Sequence, residues 1–126
     1  MRASILLAHG SSDPNWLAPF EQLRQRICQQ LPTDTEVRLA YMELAQPDLA
    51  SQVAELAAAG ATDIDVLPLF FAAGRHLRRD VPAMIADLMS QYPEVSIELH
   101  PPVGLEPEVS DAISQVVTRH VQGQNA

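Results

Sequence analysis

Hydrophobic and polar positions switch between two periods along this chain. A short apolar run, Ile5, Leu6 and Leu7, reads as a buried strand over Ser4 to Ala8. From Pro14 the period lengthens. Trp16, Phe20, Leu23, Ile27 and Leu31 recur at helical spacing, and Pro32 closes the predicted helix. Glu36 to Met42 alternates, with Val37, Leu39 and Tyr41 on one face and Arg38, Ala40 and Met42 on the other, as suits a half-covered or edge strand. Pro47 opens a second helix through Leu49, Val53 and Leu56, and Gly60 is its natural stop. Ile64 to Phe70 is apolar almost throughout. That predicts a central strand, losing regular pairing at or just before Pro68, where a ladder donor is missing. After the segment Phe70 to Pro82, a third helix carries Val81, Ile85, Leu88 and Tyr92 and ends at Pro93. Val95 to Leu99 alternates again. Pro101, Pro102 and Gly104 make a stiff loop, and a fourth helix bears Val109, Ile113 and Val116 before fraying into the polar tail GQNA.

The order β-α-β-α-β-α-β-α over residues 1–126 predicts a single α/β domain, with a parallel sheet, helices on both faces and right-handed crossovers. The alternating second and fourth strands belong at the edges, the continuous first and third in the centre. The expected strand order is 2-1-3-4, a flavodoxin-like doubly wound layout. No segment repeats, and no linker or low-complexity run divides the chain.

Composition narrows the function classes. With 47% hydrophobic and 19% charged residues the chain folds around a core and is not a disordered segment. A net charge of -8 argues against nonspecific nucleic-acid binding. There is no run of about 18 apolar residues and no basic stretch leading into an apolar core, so neither a membrane span nor a secretory leader is expected, and the cytoplasm is the default compartment. The one cysteine, Cys28, forms no intramolecular disulfide and holds no iron–sulfur cluster within a chain. Beside the first helix's apolar stripe, it reads as a buried thiol. All 8 positive residues are arginine, and three of them, Arg75, Arg78 and Arg79, crowd around His76. Planar, bidentate arginine suits carboxylate or phosphate, although a solvated helix start has the same composition.

Chemistry collects where the strands end. AHGSSDP, Ala8 to Pro14, puts His9 at a strand-to-helix turn that Gly10 sharpens, with Asp13 and Pro14 as a helix-start pair. Glu43 follows the second strand, His76 the third and His100 the fourth. In such sheets ligands bind outside the carboxyl ends of the strands, and the loops after the two central strands frame the crevice. Both loops bear a histidine beside a glycine, His9-Gly10 and Gly74-Arg75-His76. Two imidazoles hold a borderline divalent ion while leaving coordination positions open, whereas a closed structural zinc site would need ligand spacing that is absent. His100 also reads as an edge-strand surface residue, and His120, near the end of the last helix, has no assigned role.

The pieces AHGSSDP, YMELAQPDL and LPLFFAAGRHLRRDVP together resemble the short CbiX-type sirohydrochlorin chelatases of the class II chelatase family. The most specific piece is G-x-H-x-x-x-D-[VI]-P from Gly74 to Pro82, combined with the His-Gly-Ser of the first loop. The resemblance implies a chelatase-like half domain that inserts Co2+, Fe2+ or Ni2+ into sirohydrochlorin, a tetrapyrrole on the routes to cobalamin, siroheme or a nickel tetrapyrrole. It implies no permanent cofactor, the metal being a substrate. It assigns metal-site histidines to His9 and His76, the site glutamate to Glu43, and a homodimer where longer relatives fuse two domains. Ser12 stands where the family commonly has arginine.

The residues suit that chemistry. His9 and His76 present the ion, and Glu43 or a neutral histidine accepts pyrrole protons. Arg75, Arg78 and Arg79, with Ser11, are the candidate grips on the substrate's carboxylates. Phe70, Phe71, Leu77 and the Ala72-Ala73 pair are candidates to face a flat ring, with Phe70 equally suited to the core. Two other readings stay open. His9 suits a phosphoryl-accepting nucleophile cradled by Gly10, Ser11 and a helix N-terminus. The histidines alone suit a noncatalytic carrier of divalent metal.

Overall fold

The computed structural model describes residues 1–123. Strand β1 (Arg2–Ala8) has β2 (Glu36–Tyr41) on one side and β3 (Asp63–Pro68) on the other, and β4 (Ser96–Leu99) pairs with β3. Every pairing is parallel and the order is β2-β1-β3-β4, as the apolar patterning predicts. On one face Ile5, Leu7, Ile64 and Val66 pack against α2 (Leu49–Ala58) and α3 (Arg75–Gln91) through Val53, Leu56, Val81 and Ile85. On the other face Leu6, Ala8, Val37, Leu39 and Tyr41 meet α1 (Pro14–Cys28) through Trp16, Leu17, Phe20 and Ile27. Each fully buried aliphatic side chain contributes about 1.5–3 kcal/mol, so the larger cluster under α2 and α3 carries most of the fold's stability.

Local chemistry sets the helix ends. The Asp48 carboxylate accepts a hydrogen bond from the Ser51 N–H at 2.9 Å, caps α2, and is held below its usual pKa by that bond. At the other end Gly60 takes φ +97°, so that its N–H reaches the Ala57 carbonyl and that of Ala61 the Leu56 carbonyl. Pro68 closes β3 opposite Leu7. Its missing donor would face β4, which has already ended at Leu99 opposite Val66, so no ladder bond is lost.

Four expectations need correction. Helix α1 stops at Cys28, because the Gln30 N–H bonds back to Ile27 and tightens the last turn, leaving Leu31 outside the helix. Leu23 is exposed, and Leu17 takes its place against the sheet. Cys28 is exposed and not buried: it lies off the packed stripe, where the Arg24 guanidinium reaches its Sγ at 3.6 Å. Helix α3 begins at Arg75, which makes Pro82 an interior residue and puts His76 on a first turn instead of a loop. The burial of Val81, Ile85 and Leu88 offsets the one lost backbone bond. Helix α4 (Pro107–Gly123) packs against a short 3-10 turn, Val103–Leu105, and buries none of its residues. Val117, for example, is 56% exposed. The polar tail expected after α4 lies, from residue 124, outside the described residues. Among the described residues no helix is long and apolar enough to cross a membrane.

Candidate functional site

The β1–β2 pairing continues past the strand ends. The Met42 N–H bonds the Ala8 carbonyl at 2.9 Å and the Glu43 N–H bonds the His9 carbonyl at 3.0 Å, which brings His9 and Glu43 abreast at the carboxyl end of the sheet. Gly10 makes this approach sterically feasible. It takes φ +102°, and a Cβ there would lie 1.8 Å from the Glu43 carbonyl oxygen. Beyond it, the Asp13 N–H bonds the Ser11 Oγ at 3.0 Å and the Asp13 carboxylate accepts from the Asn15 N–H at 2.9 Å. Ser11 therefore shapes the turn that starts α1.

The third strand joins this end through Phe70. The Leu69 N–H bonds the Leu7 carbonyl at 2.7 Å, and the His9 ring stacks on the Phe70 ring with centroids 4.2 Å apart. Phe70 is core, as one of the two readings of the sequence had it, while Phe71 beside it is 72% exposed. The Phe70–Phe71 segment is clamped from behind. The Gly104 N–H bonds the Phe70 carbonyl at 3.0 Å, and a Cβ on Gly104 would lie 2.0 Å from the Phe71 carbonyl oxygen. From this loop the chain enters α3 at Arg75, with His76 its second residue.

His9, Glu43 and His76 thus share one end of the sheet, and all three side chains are exposed. They are not closed into a cage. Among the described residues the one set of three such side chains whose ligand atoms all fall within 4.8 Å of one another is Asp65, Glu98 and His100. The histidine after β4, His100, therefore points to a different set of partners.

Electrostatics favours an anion beside His76. Arg75, Arg78 and Arg79 occupy the first turns of α3 together with His76, no acidic residue accompanies them in the first turn, and the N-cap Gly74 offers no side-chain acceptor. Cations at a helix N-terminus oppose the macrodipole, at a cost of about 0.3–1 kcal/mol each at an exposed site, which an anionic ligand reverses. Arg79 has an exposed pairing with Asp80 at 3.8 Å, too solvated to neutralise the cluster. Arg78 also edges a cavity of about 390 Å³ whose walls include Phe70, Leu77, Pro82 and His100.

One residue at this end escaped the sequence reading. Leu44, next to Glu43, takes φ +64° and is 69% exposed. A bulky side chain held in the left-handed region and turned to solvent marks a strained loop. Its only sequence signal is an apolar residue between a glutamate and a loop-forming Ala-Gln-Pro.

Comparison with known proteins gives the family and the fold. The CbiX family model matches residues 3–120. The sirohydrochlorin cobaltochelatase of Saccharolobus solfataricus is 26% identical over 119 residues, covering 90% of this chain and 91% of that protein. Among solved structures, a CbiX protein from Marinobacter aquaeolei VT8, assigned to cobalamin (vitamin B12) biosynthesis, superposes with a TM-score of 0.85 at 42% identity, covering 97% of this chain and 98% of that one. The sirohydrochlorin chelatase SirB from Bacillus subtilis subspecies spizizenii, in complex with cobalt, shares the fold with a TM-score of 0.79 at 24% identity. The match covers 93% of this chain and 50% of that one.

Proposed function

The chain belongs to the CbiX family, and from that premise we infer how it works: it is a sirohydrochlorin chelatase, a lyase that inserts a divalent metal ion into the tetrapyrrole. The ion is a substrate, carried by His9 and His76. The observation that supports this most is the extended ladder that holds His9 against Glu43, with the His9 ring stacked on the loop that leads to His76. Two imidazoles and a carboxylate accept Co2+, Fe2+ and Ni2+ alike, and the ion used determines whether the product serves cobalamin or siroheme formation.

Insertion exchanges the ion's bonds to imidazole for bonds to the macrocycle's nitrogens and releases two pyrrole protons. Neutral imidazoles hold the ion without net anionic charge, so it leaves them readily. The exposed Glu43 carboxylate takes a pyrrole proton and returns it to water, ready for the next. The substrate's carboxylates pair with Arg75, Arg78 and Arg79, and the Ser11 hydroxyl adds a donor. Leu44 and Phe71 offer apolar surface to the flat ring.

A second copy of the chain supplies the facing wall. This is supported by α4, whose Ile113, Val116 and Val117 are all exposed, and by the match to half the length of SirB. The closed two-fold dimer is the symmetry that pairs two such crevices. The test is anaerobic insertion by the purified protein given sirohydrochlorin and each of Co2+, Fe2+ and Ni2+. Wild type turns over with at least one ion, while His9→Ala and His76→Ala fold normally and fall to background and Glu43→Gln falls about 10²-fold or more. The same preparation runs as a dimer in light scattering. Unimpaired insertion by both histidine variants removes them from the mechanism, and a monomer at working concentration removes the facing wall. Wild type that binds the ions but no tetrapyrrole is a metal carrier.

A further inference from the structure

Apart from that crevice, three metal-capable side chains converge on the edge of the sheet. Asp65 on β3 and Glu98 on β4 are direct register partners, so their carboxylates stand opposite each other on one face. Like charges in that position destabilise a strand pair unless a cation lies between them. His100 follows β4 on the same face, and its Nε2 is 3.0 Å from the Asp65 Oδ1. The ligand atoms of all three lie within 4.8 Å of one another.

The donor geometry suits a cation. At metal–ligand distances of about 2.1 Å, two donors at a right angle lie about 3.0 Å apart, so His100 Nε2 and Asp65 Oδ1 are already spaced as neighbouring ligands. The exposed Glu98, which makes no other ion pair or side-chain hydrogen bond among the described residues, has the freedom to close the third position. Arg2 holds the far oxygen, Asp65 Oδ2, at 3.1 Å, which fixes the carboxylate's orientation and leaves Oδ1 to the ion. Access is open, with side-chain exposures of 37% for His100 and 23% for Asp65.

We propose that Asp65, Glu98 and His100 form a second divalent-cation site, separate from His9 and His76. One imidazole nitrogen with two carboxylate oxygens selects a first-row ion such as Co2+, Ni2+ or Fe2+ over Mg2+ or Ca2+, which favour oxygen alone. This site holds the class of ion that the crevice consumes, on a preformed set of ligands.

The test is a titration of the whole protein with CoCl2 alone, followed by calorimetry and by the visible absorption of bound Co2+. The His9→Ala/His76→Ala double variant still binds one Co2+ per chain. Adding His100→Ala or Glu98→Gln weakens that binding by at least about tenfold, and circular dichroism checks the fold of each variant. Because Glu98 is exposed, its variant keeps the test valid should the His100 change disturb β4. The proposal is overturned if the double variant binds no Co2+, or if its binding is unchanged by both further substitutions. Failure of wild type to insert metal would overturn the chelatase reading and leave this stoichiometry untouched.

Discussion

Two sets of metal-capable side chains sit on one four-stranded sheet, and they are held in opposite ways. His9, Glu43 and His76 project from loops and a helix start beyond the strand ends, anchored by backbone contacts while their side chains stay apart. Asp65, Glu98 and His100 belong to a paired strand edge, where register alone draws the ligand atoms within 4.8 Å. A strand pair fixes side chains at separations that the chain cannot easily change, and that favours holding an ion. Loops fix the backbone and leave rotamers free, and that favours an ion that must be received, presented to a macrocycle and released. The two proposed sites thus set a retaining geometry and a handing-over geometry on one sheet.

The largest effect is expected where the open set depends on one missing atom. In Gly10→Ala the new Cβ would sit 1.8 Å from the Glu43 carbonyl oxygen at φ +102°, so the two loops must separate. Holding that backbone costs about 1–3 kcal/mol of stability. The displaced His9 and Glu43 should lower kcat/KM for insertion by about 10²-fold, the usual consequence of misplacing a reacting group by an ångström. Co2+ binding at Asp65, Glu98 and His100 should hold. Chemical denaturation and steady-state insertion check both halves, and wild-type turnover in this variant would mean that the His9–Glu43 approach is incidental.

An intermediate effect sharpens the comparison from the substrate side. Arg75→Ala/Arg78→Ala should raise the apparent KM for sirohydrochlorin by up to about tenfold and flatten its salt dependence, since exposed pairs contribute at most about 1 kcal/mol. Metal affinity without tetrapyrrole should not change. The fold should gain slightly, by a few tenths to about 1 kcal/mol per residue, because two cations leave a helix N-terminus. A variant with lower affinity for substrate and a higher melting temperature would mark the cluster as functional. An unchanged KM at low salt would reduce it to a solvated helix start.

Much of this was legible in the sequence, for physical reasons that also explain what was not. Continuous apolar runs in β1 and β3 and alternation in β2 and β4 dictate which strands lie inside, and the doubly wound layout with right-handed crossovers then favours the order 2-1-3-4. The placement of His9, Glu43 and His76 at one end of the sheet was legible because strand-end positions are local facts. The exposure of Cys28 was missed, since a position beside the apolar stripe reads as buried until the rotation of the helix against the sheet is known, and here Ile27 packs inward while Cys28 lies off the stripe. The α4 stripe showed its apolar face but not that this face lies uncovered within one chain. The trio of Asp65, Glu98 and His100 was invisible because it depends on the register between β3 and β4. His100 was noted only as a strand-end histidine, and Asp65 and Glu98 looked like two unrelated surface charges.

The smallest expected effect tests whether that trio is more than a surface hydrogen bond. Burial pushes the Asp65 carboxyl up, but hydrogen bonds from His100 and Arg2 outweigh it and leave the folded-state pKa below the ordinary 3.8. The folded chain therefore keeps this carboxylate ionised at a pH where the unfolded chain has begun to protonate it. The resulting stabilisation is complete above the unfolded pKa and disappears as pH falls through the folded value. Asp65→Asn keeps an acceptor oxygen for His100 but removes the ionisation, so between about pH 5 and about pH 3 the urea midpoint of wild type should fall more steeply than that of the variant. A bound cation competes with protons for the same Oδ1. In the His9→Ala/His76→Ala background, added Co2+ should consequently move the acid limb to lower pH, and with Asp65→Asn added it should leave the limb where it was. Parallel limbs with no response to Co2+ would reduce Asp65 and His100 to a hydrogen-bonded pair, and the crevice would then be the only place where this sheet meets a metal.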